Sequence, residues 1–444
     1  MSLLGYHEPS VSPFTKVVMK ESYDDTGGPN LGHRSHVKQT SFILKKDVEQ
    51  RNRFRRFRHA MQNFFFSNHK KVVKTHNHQL NYDYEYNEIK VNCPSVDKDY
   101  SETKFILLLH PIGVGISKWY YDDLLTQLCE KSDMMARKYI FLVPDLLGCG
   151  SACNPIKLVG SEEEKIKKLP LLYPSDWAEQ MIDFMSQYET TYKESHPRDH
   201  TSWAVTANGG CVSIALKIAE RLVQQSHTTS KGRNPPSPLS NLILSAVPSL
   251  EAIVSSPNRL KIEKAYRRVS GVLGDIFWWY SLRKDGQFIQ SFSEKNLAAS
   301  PENLGRNWRP SCVETARIFG GKSRFATFSF LAGSLKGDCK DSLDALKSTD
   351  VKVDIIRGED KRKNSAKSWF WEKQKKPETP TKDDPKVDGI DSIEIDSSNT
   401  NRTTLSRLLA KNGNSGNIIN VGGRICLAQE DPEGFSNAIM NILE

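Results

Sequence analysis

From about residue 76 onward, short apolar runs rich in β-branched residues alternate with stretches in which apolar residues recur every three or four positions. The first pattern predicts strands and the second predicts helices. Strands are expected at 79–85 and 88–91, where HQLNYDYEYNEIKV reads as an alternating hairpin. Further strands are expected at 105–109, 139–143, 202–205, 242–245, 353–357 and 417–420. Helices are expected at 119–130, 175–188, 209–224 and 432–443. This order indicates an α/β fold with a mainly parallel sheet and helices on both faces. Residues 248–346 are helical by pattern and interrupt the alternation, so they read as a lid inserted after the sixth strand. No internal repeat is present.

Before residue 76 the pattern changes. Residues 1–44 are rich in Ser, Gly, Pro and His and predict a flexible tail. No secretory apolar core follows Met1, and Glu8, Glu21, Asp24 and Asp25 are unlike a transit peptide. Residues 45–75 form a basic amphipathic segment. Within RNRFRRFRHAMQNFFF (51–66), Phe54, Phe57, Met61, Phe64 and Phe65 fall on one helical stripe, flanked by Arg51, Arg53, Arg55, Arg56 and Arg58. Such a helix suits an anionic membrane surface, or packs its stripe on the chain's own domain. Segments 226–240 and 373–401 read as polar insertions.

Composition narrows the function classes. The 444 residues carry 62 Lys and Arg against 53 Asp and Glu, a net +9. Ten of those bases and only two acids lie in 45–75, so the remainder is nearly neutral. The charge belongs to one segment, and with no nucleic-acid-binding motif beside it a nucleic-acid partner is not expected. No apolar run reaches the ~18–20 residues of a membrane-spanning helix. The eight cysteines include no CxxC pair, which argues against a zinc ribbon or a disulfide framework and for a reducing compartment. Cys149 and Cys153 lie four apart without further ligands, so no metal and no cofactor are expected.

Five local motifs follow one another in a recognisable order. FILLLHPIGVG (105–115) is a buried strand ending in a His-Pro-Ile-Gly turn. IFLVPDLLGCGSA (140–152) is a strand, Asp145 and a glycine-rich loop. WAVTANGGCVSIALKIA (203–219) is a strand, a sharp turn and a helix. VDIIRGEDK (353–361) ends in an acidic turn, and QEDPEGFSNAIMNIL (429–443) is a capped last helix. Together they resemble the α/β-hydrolase fold over about residues 76–444, with a mostly parallel, eight-stranded-type sheet and a lid after strand 6. A narrower resemblance rests on HPIGVGISKWYYDDL, PDLLGCGSA, YPSDWAEQM, FIQSFSEKNLAAS, FSFLAG and GGRICLAQEDPEGF. These are similar to hydrolase-like proteins of cyanobacteria and chloroplasts that lack the elbow Ser and the late His. That likeness implies a photosynthetic origin and a plastid location; the alternative is a cytoplasmic one.

The α/β-hydrolase resemblance implies a nucleophile on a sharp elbow, an acid and a late His. The elbow reads Val205-Thr206-Ala207-Asn208-Gly209-Gly210. One alignment puts Ala207 at the nucleophile and another puts Asn208 there; neither can attack a carbonyl. None of the eleven histidines lies beyond residue 227, and the expected position of the late His falls on Ile425. No group of pKa near 7 is left to relay a proton. Asp360, or its neighbour Glu359, is the candidate acid, or else an exposed turn residue. His110 is expected to shape the strand-3 loop. Pro111 has no N–H, so an oxyanion-type pocket would draw on Ile112 N–H and on Asn208 or Gly209 N–H.

Cys211 begins the elbow helix, where a thiol is activated if exposed; a buried packing role is the plainer reading, for Ser213 as well. GDIFWWYSL (274–282) supplies aromatics for an apolar pocket or for the lid's own core. The expected function is therefore a degenerate-triad protein that is non-catalytic. It would bind a small apolar ligand or a partner protein, at a photosynthetic membrane through its basic segment. The alternative is an active ester or lipid hydrolase with an unusual nucleophile.

Overall fold

Phe105, Ile106, Leu107, Leu108 and Leu109 are all fully buried, and around this unbroken apolar run the fold is assembled. The computed structural model describes residues 69–75, 80–91, 102–131, 138–153, 155–158, 171–227, 238–318, 324–359 and 415–444. The chain begins with β1 (His69–Thr75), β2 (Leu80–Val91), β3 (Glu102–Leu109), α1 (Asp122–Glu130), β4 (Lys138–Pro144) and β5 (Pro155–Leu158). It continues with α2 (Pro174–Ser195), β6 (His200–Asn208), α3 (Val212–His227) and β7 (Leu239–Ser245). The helices α4 (Leu250–Val254), α5 (Arg259–Val269), α6 (Val272–Leu282), α7 (Gln287–Asn296), α8 (Trp308–Ile318), α9 (Phe325–Leu331) and α10 (Lys340–Leu346) follow. Last come β8 (Lys352–Glu359), β9 (Ser415–Gly422), α11 (Leu427–Glu430) and α12 (Pro432–Leu443).

Nine strands form one sheet in the order β1-β2-β4-β3-β6-β7-β8-β9, with β5 paired to β2 off this path. Pairs β1–β2, β2–β4 and β2–β5 are antiparallel and the rest are parallel. This crossed order, with a helical excursion after β7 and a closing helix after the last strand, is the α/β-hydrolase fold. Alternate residues of β3 serve opposite faces. Phe105, Leu107 and Leu109 pack with Trp177, Met181 and Phe184 of α2 and Val212 and Ala215 of α3. Ile106 and Leu108 pack with Leu124 and Leu128 of α1 and Phe435 and Ile439 of α12. Each such burial contributes about 1.5–3 kcal/mol, which is why a central strand reads as a continuous apolar run.

Three features depart from the sequence expectations. The hairpin expected over 79–91 is instead one twelve-residue strand, β2. The period-2 alternation runs through Tyr86 and Asn87 without a residue that turns the chain, and Tyr86 faces α2 while Ile89 and Val91 face α1. The strand pairs with β1, whose HKKVVKT lies inside the expected basic segment 45–75. Lastly, the lid is narrower than 248–346. Helix α10 belongs to the body, where Leu343 and Leu346 join the core of α3 and Ser342 Oγ donates to Glu220 Oε2 at 2.5 Å. Segments 1–68 and 360–414 hold the predicted tail, most of the basic segment and one polar insertion, and lie outside the described residues.

Near the N-terminal ends of the parallel strands, buried polar groups stitch the sheet. Lys104 Nζ donates to Asn241 Oδ1 at 3.1 Å, and Asn241 Nδ2 donates to Asp354 Oδ2 at 3.1 Å. Asp354 Oδ1 accepts the Asn417 N–H at 2.7 Å. The chain of bonds links β3, β7, β8 and β9 far from the strand ends that carry the elbow.

Candidate functional site

Strand β6 delivers the chain to the elbow. Asn208, its last residue, is extended, with φ −119° and ψ 134°. Gly209 then takes φ +58°, and α3 starts three residues later. The left-handed apex is therefore Gly209, and neither Ala207 nor Asn208 stands there as the sequence alignments expect. The spacing is small-x-apex-x-small, from Ala207 through Gly209 to Cys211. An L side chain at this φ costs about 1–2 kcal/mol, which glycine avoids. A Cβ built on Gly209 would meet nothing within 4 Å, whereas one on Gly210 would sit 3.1 Å from Leu335 Cδ1. The position where the fold poises a nucleophile is open and empty of side chain.

The candidate substitutes are committed elsewhere. Cys211 is buried, its Sγ donates to His110 O at 3.4 Å, and desolvation pushes its thiol up to about 12. Ile112 N–H points at that sulfur, so this donor of the expected oxyanion-type pocket already has an acceptor. Ser213 Oγ donates to Leu335 O at 2.9 Å. Asn208 Nδ2 donates to Ile425 O at 2.8 Å, tying the elbow to the late loop. Of the four groups expected in the pocket, only Gly209 leaves open space.

Ile425 lies between β9 and α11, on the loop where the resemblance places the catalytic base. One carboxylate holds this loop. Glu430 Oε1 accepts the N–H groups of Arg424 at 2.9 Å, Ile425 at 3.2 Å and Cys426 at 3.1 Å. Its Oε2 accepts Ala299 N–H at 2.5 Å, and Ile425 N–H also reaches Leu297 O at 3.1 Å. Converging backbone N–H groups make an anion nest, and Glu430 fills it from within the chain. Sequence reading did not find Glu430, because its partners are main-chain groups. Nor did it find Tyr120, fully buried beside the Cys426 thiol, with burial raising both pKa values.

His110 is fully buried and shapes its loop as expected of it. Its Nδ1–H donates to Pro111 O at 2.9 Å, and its Nε2 accepts Leu146 N–H at 3.1 Å. Burial lowers its pKa, partly offset by Asp145, so the ring is held neutral. Asp145 Oδ1 accepts Lys118 N–H at 2.8 Å, while Oδ2 accepts Ser151 N–H at 2.9 Å and Oγ–H at 2.7 Å. From α2, Gln180 bonds Asp145 O and Leu147 N–H, both at 2.9 Å, and Trp177 Nε1 donates to Leu147 O at 2.9 Å. Thus HPIGVG, PDLLGCGSA and DWAEQ, which carry much of the resemblance, hold one another in shape, and His110 O meets Cys211 of the elbow.

Glu359 is exposed at the end of β8; Asp360 and Arg51, Arg53, Arg55, Arg56 and Arg58 lie outside the described residues. The lid aromatics divide. Trp278 is buried with its ring 6.2 Å from Phe328, while Trp279 and Tyr280 are 61% and 50% exposed. They are thus neither a common pocket lining nor a common core.

No family model and no curated protein matches this chain. Among solved structures it is similar to a peroxisomal α/β-hydrolase of Saccharomyces cerevisiae, at 13% identity and a TM-score of 0.47, over 85% of this chain and 89% of that one. It is similar to a bromoperoxidase from Bacillus anthracis at 14% identity and 0.43, over 85% and 99%. A putative α/β hydrolase from Nostoc sp. PCC 7120 gives 13% and 0.40, over 85% and 98%. Likenesses this distant carry no reaction over to this chain; the fold stands on the strand order and the elbow.

Proposed function

We propose that this α/β-hydrolase-fold chain binds a small apolar ligand at its elbow and does not hydrolyse it. The observation that carries the reading is the apex itself: Gly209 has no side chain, its backbone is left-handed, and the space above it is open. Nucleophilic attack needs a poised side chain and a base to take its proton. The apex offers neither, the late loop presents Ile425, and the nearest thiol is a neutral buried Cys211. Apolar side chains pack beside the elbow: Leu335 and Phe330 lie within 4 Å of a Cβ built on Gly210, and Ile112 belongs to the same core cluster. Function lives in the site and not in the fold, so a hydrolase architecture alone does not imply hydrolysis. The resemblance to hydrolase-like proteins of cyanobacteria and chloroplasts supports a plastid setting for this binding role.

The test uses the purified full chain. It is incubated with a fluorophosphonate probe and with p-nitrophenyl esters of short and long acyl chains. No covalent adduct and no turnover above buffer are expected. A probe adduct on Cys211 or Ser213, or turnover that Cys211→Ala abolishes, would overturn the reading in favour of an ester hydrolase with an unusual nucleophile.

A further inference from the structure

Seven large hydrophobic side chains are half or more exposed among the described residues. Six of them, Leu260, Val272, Leu273, Ile276, Trp279 and Tyr280, lie on the neighbouring helices α5 and α6. On α6 the five fall at i, i+1, i+4, i+7 and i+8, one continuous stripe. The opposite face of α6 is fully used. Gly274, Trp278 and Ser281 are buried, and a Cβ on Gly274 would lie 2.8 Å from Phe328 Cζ and would collide with Val269 O. The helix therefore cannot roll its apolar stripe inward, and the stripe's exposure is fixed by packing.

Charge surrounds this stripe. Residues 259–285 carry seven Lys or Arg and three acids. Each acid already has a basic partner: Glu263 with Arg267 at 3.7 Å, Asp275 with Arg324, and Asp285 with Arg317 at 3.0 Å. Lys261, Lys264, Arg268 and Lys284 have no acidic partner among the described residues. Arg283 stands over the Trp279 ring at 5.3 Å. Aliphatic residues and Trp and Tyr share one surface with unpaired cations, which is the composition of a helix that enters the headgroup layer of an anionic bilayer.

We propose that the α5–α6 face of the lid docks on an anionic phospholipid surface. Contiguous exposed apolar patches on soluble folds mark interaction sites. The unpaired cations decide the occupant here: headgroup phosphates meet them while the stripe sits among the acyl chains. The proposal concerns the lid and is independent of what the elbow binds.

Flotation of the full chain with vesicles tests it, using phosphatidylcholine alone or mixed with phosphatidylglycerol. Binding is expected on the mixed vesicles and not on phosphatidylcholine alone, and it should weaken as salt rises. Lys261→Glu/Lys264→Glu/Arg268→Glu should weaken it on the order of a hundredfold. Ile276→Glu/Trp279→Glu should abolish it, with circular dichroism and thermal midpoint unchanged. Replacing Arg51, Arg53, Arg55, Arg56 and Arg58 by Gln should leave most of the binding in place. The proposal is overturned if the chain does not float with anionic vesicles. It is equally overturned if the lid variants bind as the parent does while the N-terminal arginine variant does not. A concentration-dependent dimer that Trp279→Glu dissociates, with no vesicle binding, would assign the patch to a second copy instead.

Discussion

Replacing Gly209 by cysteine places a thiol where the fold would carry a nucleophile, and two magnitudes follow. The first concerns stability. The apex φ of +58° strains any L residue by about 1–2 kcal/mol, partly offset by the lower unfolded-state entropy of a non-glycine chain, so a net loss of about 1 kcal/mol is expected. No steric cost is added, because a Cβ there meets nothing within 4 Å. Gly115 is the control: it also has positive φ, but its Cβ would collide with Cys312 O, so Gly115→Ala must displace backbone and lose several times more. The second magnitude concerns reactivity. At about pH 8 roughly a quarter of an ordinary thiol is ionised. With its pKa at about 12, Cys211 is ionised to about one part in ten thousand. Iodoacetamide labelling with peptide mapping should therefore modify residue 209 about a thousandfold faster than Cys211 in the native Gly209→Cys chain. Denaturant unfolding of both variants supplies the stabilities. The reasoning is refuted if Gly209→Cys costs as much as Gly115→Ala, or if the new thiol labels no faster than Cys211.

Three further outcomes follow from the same geometry. Burial lowers the pKa of His110 below its ordinary 6.5, so the unfolded chain takes up a proton first. Its contribution to stability is complete above about pH 6.5 and declines on acidification by up to about 1.4 kcal/mol per pH unit; urea midpoints from pH 7 down to 5 should show this slope, and His110→Gln should lack it. Asp354→Ala leaves the buried Asn241 Nδ2 without its acceptor and removes the acceptor of Asn417 N–H, and should cost about 2 kcal/mol in denaturant unfolding. Glu430→Ala empties the nest under the late loop. Hydrogen exchange at Arg424, Ile425 and Cys426 should accelerate by at least about tenfold, whereas Glu430→Gln, which keeps an acceptor oxygen, should accelerate it less.

Much of the scaffold was legible because its signals are local. The FILLL run can only be a strand buried on both faces, and the order of motifs set the order of elements around it. The departures have physical reasons. HKKVVKT looks like part of a basic arm, yet lysines are also what an edge strand carries against unwanted pairing. A double glycine does not say which residue takes positive φ, so the elbow register slipped by one or two positions from Ala207 and Asn208 to Gly209. Helix α6 is apolar almost all round, and only its contacts show that Gly274, Trp278 and Ser281 face inward. Glu430 was invisible because a carboxylate bonded to main-chain N–H groups leaves no pattern of side chains. The motifs most specific in sequence turned out to brace the loop beside the elbow, through His110, Trp177 and Gln180.

The central claim is that the elbow holds a ligand without reacting with it. Intact mass of the purified full chain, recorded under native and then denaturing conditions after incubation with an acyl ester, tests this most directly. A mass excess in the native spectrum that vanishes completely on denaturation is the predicted result. An acyl-sized increment that survives denaturation and maps to a residue at the elbow would contradict it.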